Sequence, residues 1–300
     1  MIDFKKITPE LGPAMIPHLS TKETCEYSFV NLCIWGNQKT ALVDGYYTFF
    51  SQFNRKAVYL FPVGEGEILP VLDAILADAQ QRGIRCCLTG LNQEKCQLLE
   101  QLYPDKFRFI TARDNFDYLY SIDELADLKG RKYQKKRNHL HRFHAACPNW
   151  SVEPLSCGNM PLVRDMAQQW YRTRIAADPQ GDYHLEQQAL ERALTYFTSL
   201  PLEGLVLRDG NRVIAFSMAS PISQEIYDVH FEKALDDVEG AYTAINQAFA
   251  SWLRERHPAL RYLNREDDLG LEGLRKAKLS YYPVQLMEKY WARPKEDFND

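Results

Sequence analysis

The chain has 300 residues, 45% hydrophobic and 25% charged, a composition typical of a globular protein with room for two cores of ordinary size. Its formal net charge of −4 excludes a protein coated with positive charge for nucleic acid, although local basic patches remain open. No uncharged apolar run approaches the roughly 18 residues that a membrane span requires. The residues after Met1 lack the apolar core of a signal peptide.

The first 120 residues carry patterns of helix and strand in a clear order. The hydrophobic spacing predicts helices over 9–19 and 24–36, a hairpin over 40–50, a strand over 57–61, a helix over 67–82, a strand over 84–88, a helix over 92–103 and a strand over 107–120. The pair Asp44-Gly45 is favourable for the tight turn of the hairpin.

The second half repeats this order. It predicts helices over 160–176 and 184–199, a hairpin over 205–217, a strand over 225–232, a helix over 240–256, a strand over 260–264, a helix over 271–281 and a strand over 283–291. The two hairpin turns, at Asp44 and Asp209, lie 165 residues apart, and later elements keep nearly the same spacing. We therefore predict two copies of one α+β unit. The alternative is a single large mixed sheet.

The predicted units divide the chain into three parts. Residues 1–120 form the first unit, 121–150 a basic connecting helix, and 151–300 the second unit. Ser121 and Glu124 have the spacing of a capping box, which marks the start of the connecting helix.

The strand over 225–232 carries charge where a core strand would be apolar. Strand alternation predicts that Asp228, His230 and Glu232 share one face. More charged residues follow the strand over 260–264, and charges at the ends of strands are typical of a cleft in an α/β sheet. We therefore take these three residues as candidate catalytic groups, any of which could act as a general base.

The connecting segment is strongly basic. Seven Lys or Arg occur in the fourteen residues from Lys129 to Arg142. Clustered cations hold phosphates by charge and hydrogen bonds, which makes Lys132, Lys136, Arg137 and the adjacent Asn138 candidate substrate-binding residues. The alternative is a solvated helix that joins two domains. The three histidines of this segment lack the spacing of a metal site, so no metal is expected.

The seven cysteines are odd in number and contain no CxxC pair. Reduced and mostly buried thiols in a cytoplasmic protein fit this pattern best. The oligomeric state is left open by the sequence.

The order of elements in each unit looks like the GNAT acyltransferase fold. GNAT enzymes bind the pyrophosphate of coenzyme A at a helix N-terminus, where backbone N–H groups and the helix dipole favour an anion. The corresponding loop, 235–242, carries Asp236, Asp237 and Glu239. We therefore expect coenzyme A to be disfavoured and no other cofactor to be needed.

Two motifs, over 118–139 and 264–283, resemble a family of bacterial proteins grouped with the C-terminal domain of phosphatidylglycerol lysyltransferases. The resemblance covers nearly the whole chain. It implies a tandem GNAT fold of the kind also used by the peptidoglycan aminoacyltransferases, which take an amino acid from aminoacyl-tRNA and generally need no coenzyme A. A tRNA or another phosphate-rich ligand is therefore a possible partner. The lysyltransferases carry a transmembrane part that this chain lacks, so lipid as the acceptor is doubtful.

Acyl transfer from an ester requires groups that hold both ends of the substrate. Arg265 and Lys276 could hold a carboxylate or phosphate, and Glu266 and Asp267 could pair with a substrate ammonium. Asn264 precedes them in the same motif, and Asp268 is better suited to capping the helix that follows. Two alternatives stay open, a non-catalytic protein that binds an anionic ligand and a coenzyme A-dependent N-acetyltransferase.

Overall fold

The computed structural model describes residues 1–19, 24–53, 56–179, 181 and 183–298, which form two mixed β-sheets with helices packed against them. The strands are β1 (Lys5–Lys6), β2 (Gln38–Val43), β3 (Tyr46–Phe53), β4 (Lys56–Gly64), β5 (Leu88–Leu91), β6 (Phe107–Thr111), β7 (Asp117–Ser121), β8 (Trp150–Pro154), β9 (Glu203–Asp209), β10 (Arg212–Pro221), β11 (Ile226–Ala234), β12 (Tyr262–Asn264), β13 (Gln285–Met287) and β14 (Tyr290–Pro294). The helices are α1 (Gly12–Leu19), α2 (Phe29–Ile34), α3 (Ile68–Gln81), α4 (Gln93–Leu102), α5 (Ile122–Asp127), α6 (Gln134–Ala146), α7 (Met160–Ala177), α8 (His184–Thr195), α9 (Ala241–Arg256) and α10 (Glu272–Leu279).

The two sheets have the same internal order. The first runs β1-β2-β3-β4-β5-β14-β6, and the second, read from its opposite edge, runs β8-β9-β10-β11-β12-β7-β13. In each sheet one central pair is parallel, β4 with β5 and β11 with β12, and the other pairs are antiparallel. The predicted repeat of one α+β unit is therefore confirmed.

The sixth position of each sheet is filled by a strand from the other half of the chain. Strand β7 lies between β12 and β13 in the second sheet, and β14 lies between β5 and β6 in the first. This reciprocal strand exchange changes two predicted strands. The one over 107–120 is two strands separated by the turn Arg113–Asn115, and the one over 283–291 is also two. Each breaks because the chain must bend from one sheet to the other.

Because of this exchange, the boundaries of the predicted units do not coincide with those of the two sheets. The division at residue 120 assigns β7 to the first unit, and the division at 151 assigns β14 to the second, although each strand pairs in the opposite sheet. Burial adds a further link, since Met15 and Leu32 of the first half share one core with Trp170 and Phe216 of the second. The two halves therefore form one folded body.

The connecting segment forms two helices rather than one. The hydroxyl of Ser121 accepts a hydrogen bond from the N–H of Glu124 at 3.4 Å and caps α5, and α6 follows after the turn Arg131–Tyr133. The side chains of Tyr133 and Phe143 are buried against the second half, where the hydroxyl of Tyr133 donates to the carbonyl of Tyr281.

All seven cysteines are free thiols, and four of them are buried. Within the described ranges, no helix is both long enough and apolar enough to cross a bilayer.

Candidate active site

A β-bulge in β11 decides which face each of its charged residues occupies. Phe231 lies opposite Met218 and Val229 lies opposite Ala219, which leaves His230 without a cross-strand partner. One extra residue reverses the alternation of side chains beyond it. Asp228 and His230 therefore face the first half of the chain, whereas Glu232 contacts Asn246 of α9 on the other face. The expectation that all three share a face is wrong for Glu232.

Asn31 of α2 is the point where the first half meets these residues. Its amide group donates to Asp228 Oδ2 at 3.0 Å and to Glu266 Oε1 at 2.8 Å. Its oxygen lies 2.9 Å from His230 Nδ1 and accepts from the indole of Trp35 at 3.1 Å. The only hint in the sequence is a polar residue within an apolar helix, and this role was not predicted.

These contacts fix the protonation of His230. Because Asn31 Oδ1 can only accept, His230 Nδ1 carries the proton, and its Nε2 accepts from the Ser220 hydroxyl at 2.7 Å. Burial lowers the pKa of His230 to about 3. The imidazole is thus neutral and enclosed, with both nitrogens bonded.

A second group of charges lies beside Asn31, where the chain passes between the sheets. Lys289 Nζ is 2.6 Å from Asp117 Oδ1 and 2.8 Å from Glu26 Oε1. The other oxygen of Asp117 accepts from the backbone N–H of Cys25 at 2.9 Å and from Asn264 Nδ2 at 3.0 Å. The predicted substrate residue Asn264 therefore positions Asp117.

Together these residues form an acidic centre between the two halves, in which carboxyl groups outnumber cations. Its members are Glu26, Asp117, Asp228, Glu266 and Asp267 with Lys278 and Lys289. If all five carboxyls were ionised, this set would carry a net charge of −3.

Burial and the excess of negative charge raise the pKa values of two carboxyl groups in the acidic centre. Burial, and then the charges of Glu266 and Asp117, raise the pKa of Asp228 well above its usual range. Burial raises the pKa of Glu266 to about 7. Asp228 Oδ1 is buried without a hydrogen-bond partner among the described residues. By contrast, the side chains of Glu26 and Glu266 are 25% and 23% exposed, so the acidic centre opens to solvent at one rim.

The opposite face of β11 and β12 carries a second group of polar side chains, which we call the basic cleft: Lys136, Glu232, Asn246, Arg265 and Tyr281. Arg265 Nη2 and Asn246 Nδ2 hold the two oxygens of Glu232 at 2.8 Å and 3.0 Å. Lys136 Nζ lies 3.5 Å from the centre of the Tyr281 ring. Burial, and then the charge of Arg265, lower the pKa of Lys136 to about 8.

The other predicted residues of the basic segment are engaged elsewhere. Lys132 pairs with Glu124 at 2.8 Å. Arg137 donates to the carbonyls of Leu128 and Gly130, and Asn138 accepts from Gln134 on the exposed side of α6. Of the predicted basic residues, Lys136 is therefore the one that reaches the cleft.

The loop 265–268 divides its residues between the two faces and the turn that follows. Arg265 enters the basic cleft, and Glu266, at a φ of 55°, enters the acidic centre. Hydrogen bonds from Arg275, Tyr118 and Gly270 hold the pKa of Asp268 well below its usual range, so this residue stabilises the turn before α10.

On α10, the predicted Lys276 is exposed and Lys278 is the buried lysine. Lys278 donates to the carbonyls of Arg265 and Asp267. A helical turn places these two positions about 200° apart, and their residue types alone do not distinguish the inward one.

In the first sheet, the position beside the parallel pair β4 and β5 corresponds to the site beside β11 and β12, and a side chain fills it. Strands β4 and β5 pair at Tyr59 and Leu60, and just beyond that point the hydroxyl of Tyr27 lies 3.2 Å from Phe61 O and 2.9 Å from Gly90 O. A Cβ on Gly90 would lie 2.8 Å from that hydroxyl, which shows how tightly the side chain fits. The place beside β4 and β5 that corresponds to the β11 and β12 side of the candidate site is therefore occupied by Tyr27.

Comparison with known proteins identifies the class. The fold is the predicted tandem GNAT-like fold, also found in L-PGS from Bacillus licheniformis, a structure that is 16% identical with a TM-score of 0.71 over 98% of this chain and 94% of that one. The family model of the phosphatidylglycerol lysyltransferase C-terminal domain matches residues 18–293, and the chain belongs to this family.

Two relatives have no stated activity. A crystal structure of a conserved protein of unknown function from Bacteroides thetaiotaomicron is 36% identical, with a TM-score of 0.92 over 98% of this chain and 100% of that one. An uncharacterized protein of Mycoplasmoides gallisepticum, MYCGA3080, is 24% identical over 184 residues, which are 60% of this chain and 57% of that protein. The match thus spans little more than half of that relative's length.

Proposed function

We propose that this protein is an acyltransferase of the aminoacyl-tRNA-dependent type, which moves an aminoacyl group to a hydroxyl or amine acceptor. Membership of the lysyltransferase family supports acyl transfer as the class of reaction. The donor and the acceptor are inferred from the chemistry of the acidic centre and of the surface around it.

The observation that carries the proposal is the shortage of positive charge in the acidic centre. Five carboxyls face two lysines, and Asp228 and Glu266 both have raised pKa values. An ammonium group bound at the rim, beside Glu26 and Asp267, would supply the missing charge. Aminoacyl esters carry such an ammonium next to the reacting carbonyl, whereas simple acyl donors such as acetyl groups do not.

Glu266 is the group best matched to proton transfer in this setting. Its pKa of about 7 suits a general base at neutral pH, and its side chain is partly exposed. The acceptor oxygen or nitrogen would form a bond to the acyl carbon while its proton passes to Glu266. The ester bond to the ribose would then break, and the ribose oxygen would take that proton.

His230 and Glu232 fit that role less well than the sequence indicated. His230 has a strongly lowered pKa, and its Nε2 is occupied by Ser220. Glu232 is held by Arg265 and Asn246 on the opposite face. We assign His230 to positioning Asn31 and Ser220, and Asp228 to the buried floor of the acidic centre.

The surroundings of α9 favour tRNA over coenzyme A as the carrier. The linker helix α6 packs against the start of α9, where a Cβ on Gly240 would lie 2.3 Å from the carbonyl oxygen of His139. A pyrophosphate would need that helix end. Two exposed cations, Arg131 in the turn before α6 and Lys135 on α6, could meet the phosphates of a tRNA instead.

The test is aminoacyl transfer from bulk tRNA charged with radiolabelled amino acids, with glycerol and ethanolamine as model hydroxyl and amine acceptors. Glu266→Gln keeps the shape of the side chain and removes the base, so we expect transfer to fall by about 100-fold or more. Glu272→Gln, the same change at an exposed carboxylate of α10, is the matched control and should leave the rate unchanged.

Equal rates for wild type and Glu266→Gln would refute the role of Glu266. If the protein neither binds nor discharges any aminoacyl-tRNA, the donor class is wrong.

A further inference from the structure

A cavity of about 450 Å³ lies where the end of α9 meets the turn between β10 and β11, and we call it the α9-end cavity. Most of its wall is apolar and comes from Ile16, Pro221, Ile222, Pro258 and Ala259. Ile16 belongs to α1, so both halves of the chain contribute to this wall. The volume falls within the range of roughly 300 to 1,000 Å³ that small-molecule sites occupy.

The polar side of the α9-end cavity is organised by Glu203, which lies behind it. Glu203 Oε1 accepts from the Tyr227 hydroxyl at 3.0 Å and from His257 Nε2 at 2.6 Å, and Oε2 accepts from Arg256 Nε at 3.0 Å. Both carboxylate oxygens are therefore engaged, and their contacts hold the three side chains that line the cavity. A wall that is already held in place loses little side-chain entropy when a ligand binds.

The polar groups that line the cavity supply hydrogen-bond donors. The terminal nitrogens of Arg256 donate to no residue in the described part of the chain. Ser223 Oγ accepts from the N–H groups of Glu225 at 3.3 Å and Ile226 at 3.2 Å, so its own hydrogen is left for another acceptor. Among the described residues that line the cavity, none is acidic. A ligand that supplies acceptors therefore matches this wall.

Arg256 is the cation at the end of α9 that can meet such a ligand. The last carbonyls of a helix carry roughly half a negative charge, which Arg254 and Arg256 in the last turn offset. Arg254 is held by Asp123 at 3.1 Å and Asp127 at 3.0 Å, whereas Arg256 pairs through Nε alone. A carboxylate can accept two parallel hydrogen bonds from the remaining nitrogens of such a guanidinium.

We propose that the α9-end cavity is a binding site for a small carboxylic acid with a compact apolar body. The carboxylate would accept from Arg256 and from the Ser223 hydroxyl, and the body would pack against Ile222 and Pro258. An aliphatic body and an aromatic body share this chemistry. The site goes beyond the proposed function, because it uses no residue of the acidic centre.

The experiment is calorimetric titration of the whole chain with hexanoate, benzoate and 4-phenylbutyrate, each paired with its primary amide. We expect one saturable site that binds at least one carboxylate at least tenfold more tightly than the matching amide. The tightest carboxylate identifies the kind of body. Equal affinity for acid and amide would refute carboxylate recognition, and no saturation with any of them would overturn the site.

The role of the guanidinium is tested by Arg256→Gln, which should weaken carboxylate binding at least tenfold. Arg254→Gln makes the same change two residues earlier on α9, outside the cavity wall, and should have little effect. Equal losses in the two variants would show a diffuse charge effect and refute the site.

The role of the cavity itself is tested by Ala259→Trp, which fills the space from an exposed position and should abolish binding. Ala145→Trp, the same change at an exposed position of α6, is the control. Unchanged binding in Ala259→Trp would place the carboxylate elsewhere and overturn the proposal.

A second copy of the chain is the other occupant that an apolar wall could take. In that case wild type would sediment as a dimer and Ala259→Trp as a monomer, and this result would also overturn the proposal. Because this site is tested by carboxylate binding and the proposed function by aminoacyl transfer, either can fail while the other stands.

Discussion

Lys289 and Asp117 form a buried ion pair, with Nζ and Oδ1 2.6 Å apart, at the two places where the chain passes between its sheets. Asp117 is the first residue of β7, and Lys289 immediately precedes β14. The pair therefore joins the starts of the two exchanged strands and also forms part of the acidic centre. The same two side chains therefore contribute both to the stability of the fold and to the candidate site.

Replacing Lys289 by Met should destabilise the fold strongly. Removing one partner of a buried pair leaves an uncompensated charge, which typically costs about 3 to 5 kcal/mol. The side chain of Lys289 is 4% exposed and that of Asp117 is 0% exposed, so solvent cannot replace the lysine. Urea unfolding followed by circular dichroism measures the effect. Lys129→Met, in the exposed pair with Asp127, should shift the midpoint far less, and similar shifts would contradict the argument.

Glu266 should make stability depend on pH in a defined direction. Its folded pKa, about 7, lies above the ordinary value of 4.5, so the folded state binds the proton more tightly between these values. Stability from this group is therefore greatest below about pH 4.5 and is lost as pH rises through about 7, by up to about 3 kcal/mol. Burial shifts Asp228 and Asp267 in the same sense.

Other groups around Glu266 complicate the raw profile. His230, with a lowered pKa, gives the opposite slope between about 3 and 6.5, whereas the raised pKa of Lys289 keeps that group charged across the range used. The difference between wild type and Glu266→Gln isolates the carboxyl. The free energy of unfolding of wild type minus that of Glu266→Gln should decrease as pH increases from 5 to 8. A difference that does not change with pH would show that Glu266 titrates normally.

The exposed cations of α6 and of the turn before it should account for the salt dependence of tRNA binding. Arg131→Gln with Lys135→Gln removes two charges, so the slope of log K against log salt should flatten by about 1.4 to 1.8. Filter binding of bulk aminoacyl-tRNA over a salt series measures the slope. Lys5→Gln with Lys6→Gln, the same charge change on the exposed strand β1, is the control. If both double variants behave like wild type, α6 is a solvated connector.

Arg137 should behave differently from those two cations. It donates to the carbonyls of Leu128 and Gly130 and so closes the turn between α5 and α6. Arg137→Ala should lower the thermal midpoint, because these carbonyls lose a charged donor. A change in tRNA binding without any change in the midpoint would show instead that Arg137 contacts the ligand.

Acetyl-coenzyme A should bind weakly or not at all. The acidic residues of the 235–240 loop form ion pairs, Asp236 with Arg174 at 2.7 Å and Asp237 with Arg212 at 2.8 Å. Repulsion of a pyrophosphate is therefore weaker than the sequence indicated, and the main obstacle is α6 packed at Gly240. Calorimetry should detect no binding in the micromolar range. Micromolar affinity would restore the ordinary acetyltransferase alternative.

The repeated α+β unit could be predicted from the sequence, but the exchange of strands between the two sheets could not. Hydrophobic spacing marks each strand, but a strand pairs equally well with either sheet as far as its own pattern shows, so β7 and β14 were assigned to their neighbours in the chain. The bulge at His230 was hidden for a related reason. Strand alternation holds only while the ladder is regular, and the extra residue is defined by its partner strand.

Among the site residues, the charged sequence of the loop 265–268 indicates its part in the site, whereas nothing in the sequence indicates the role of Asn31. Its position depends on contacts nearly 200 residues away in the chain, from Asn31 to Asp228 and His230. A single sequence carries no signal of that range. Lys136 was named with its neighbours, and only packing distinguishes it from Lys132 and Arg137.

The position of β14 sets an order on synthesis. The ribosome makes β5 and β6 early, but the strand that belongs between them, Tyr290–Pro294, is made nearly two hundred residues later. Until then the first sheet has an open slot with unpaired backbone groups on both sides, the kind of edge that recruits other chains. The nascent first half must therefore wait for the last strand, and a ribosome stalled in the second half would leave it exposed to aggregation.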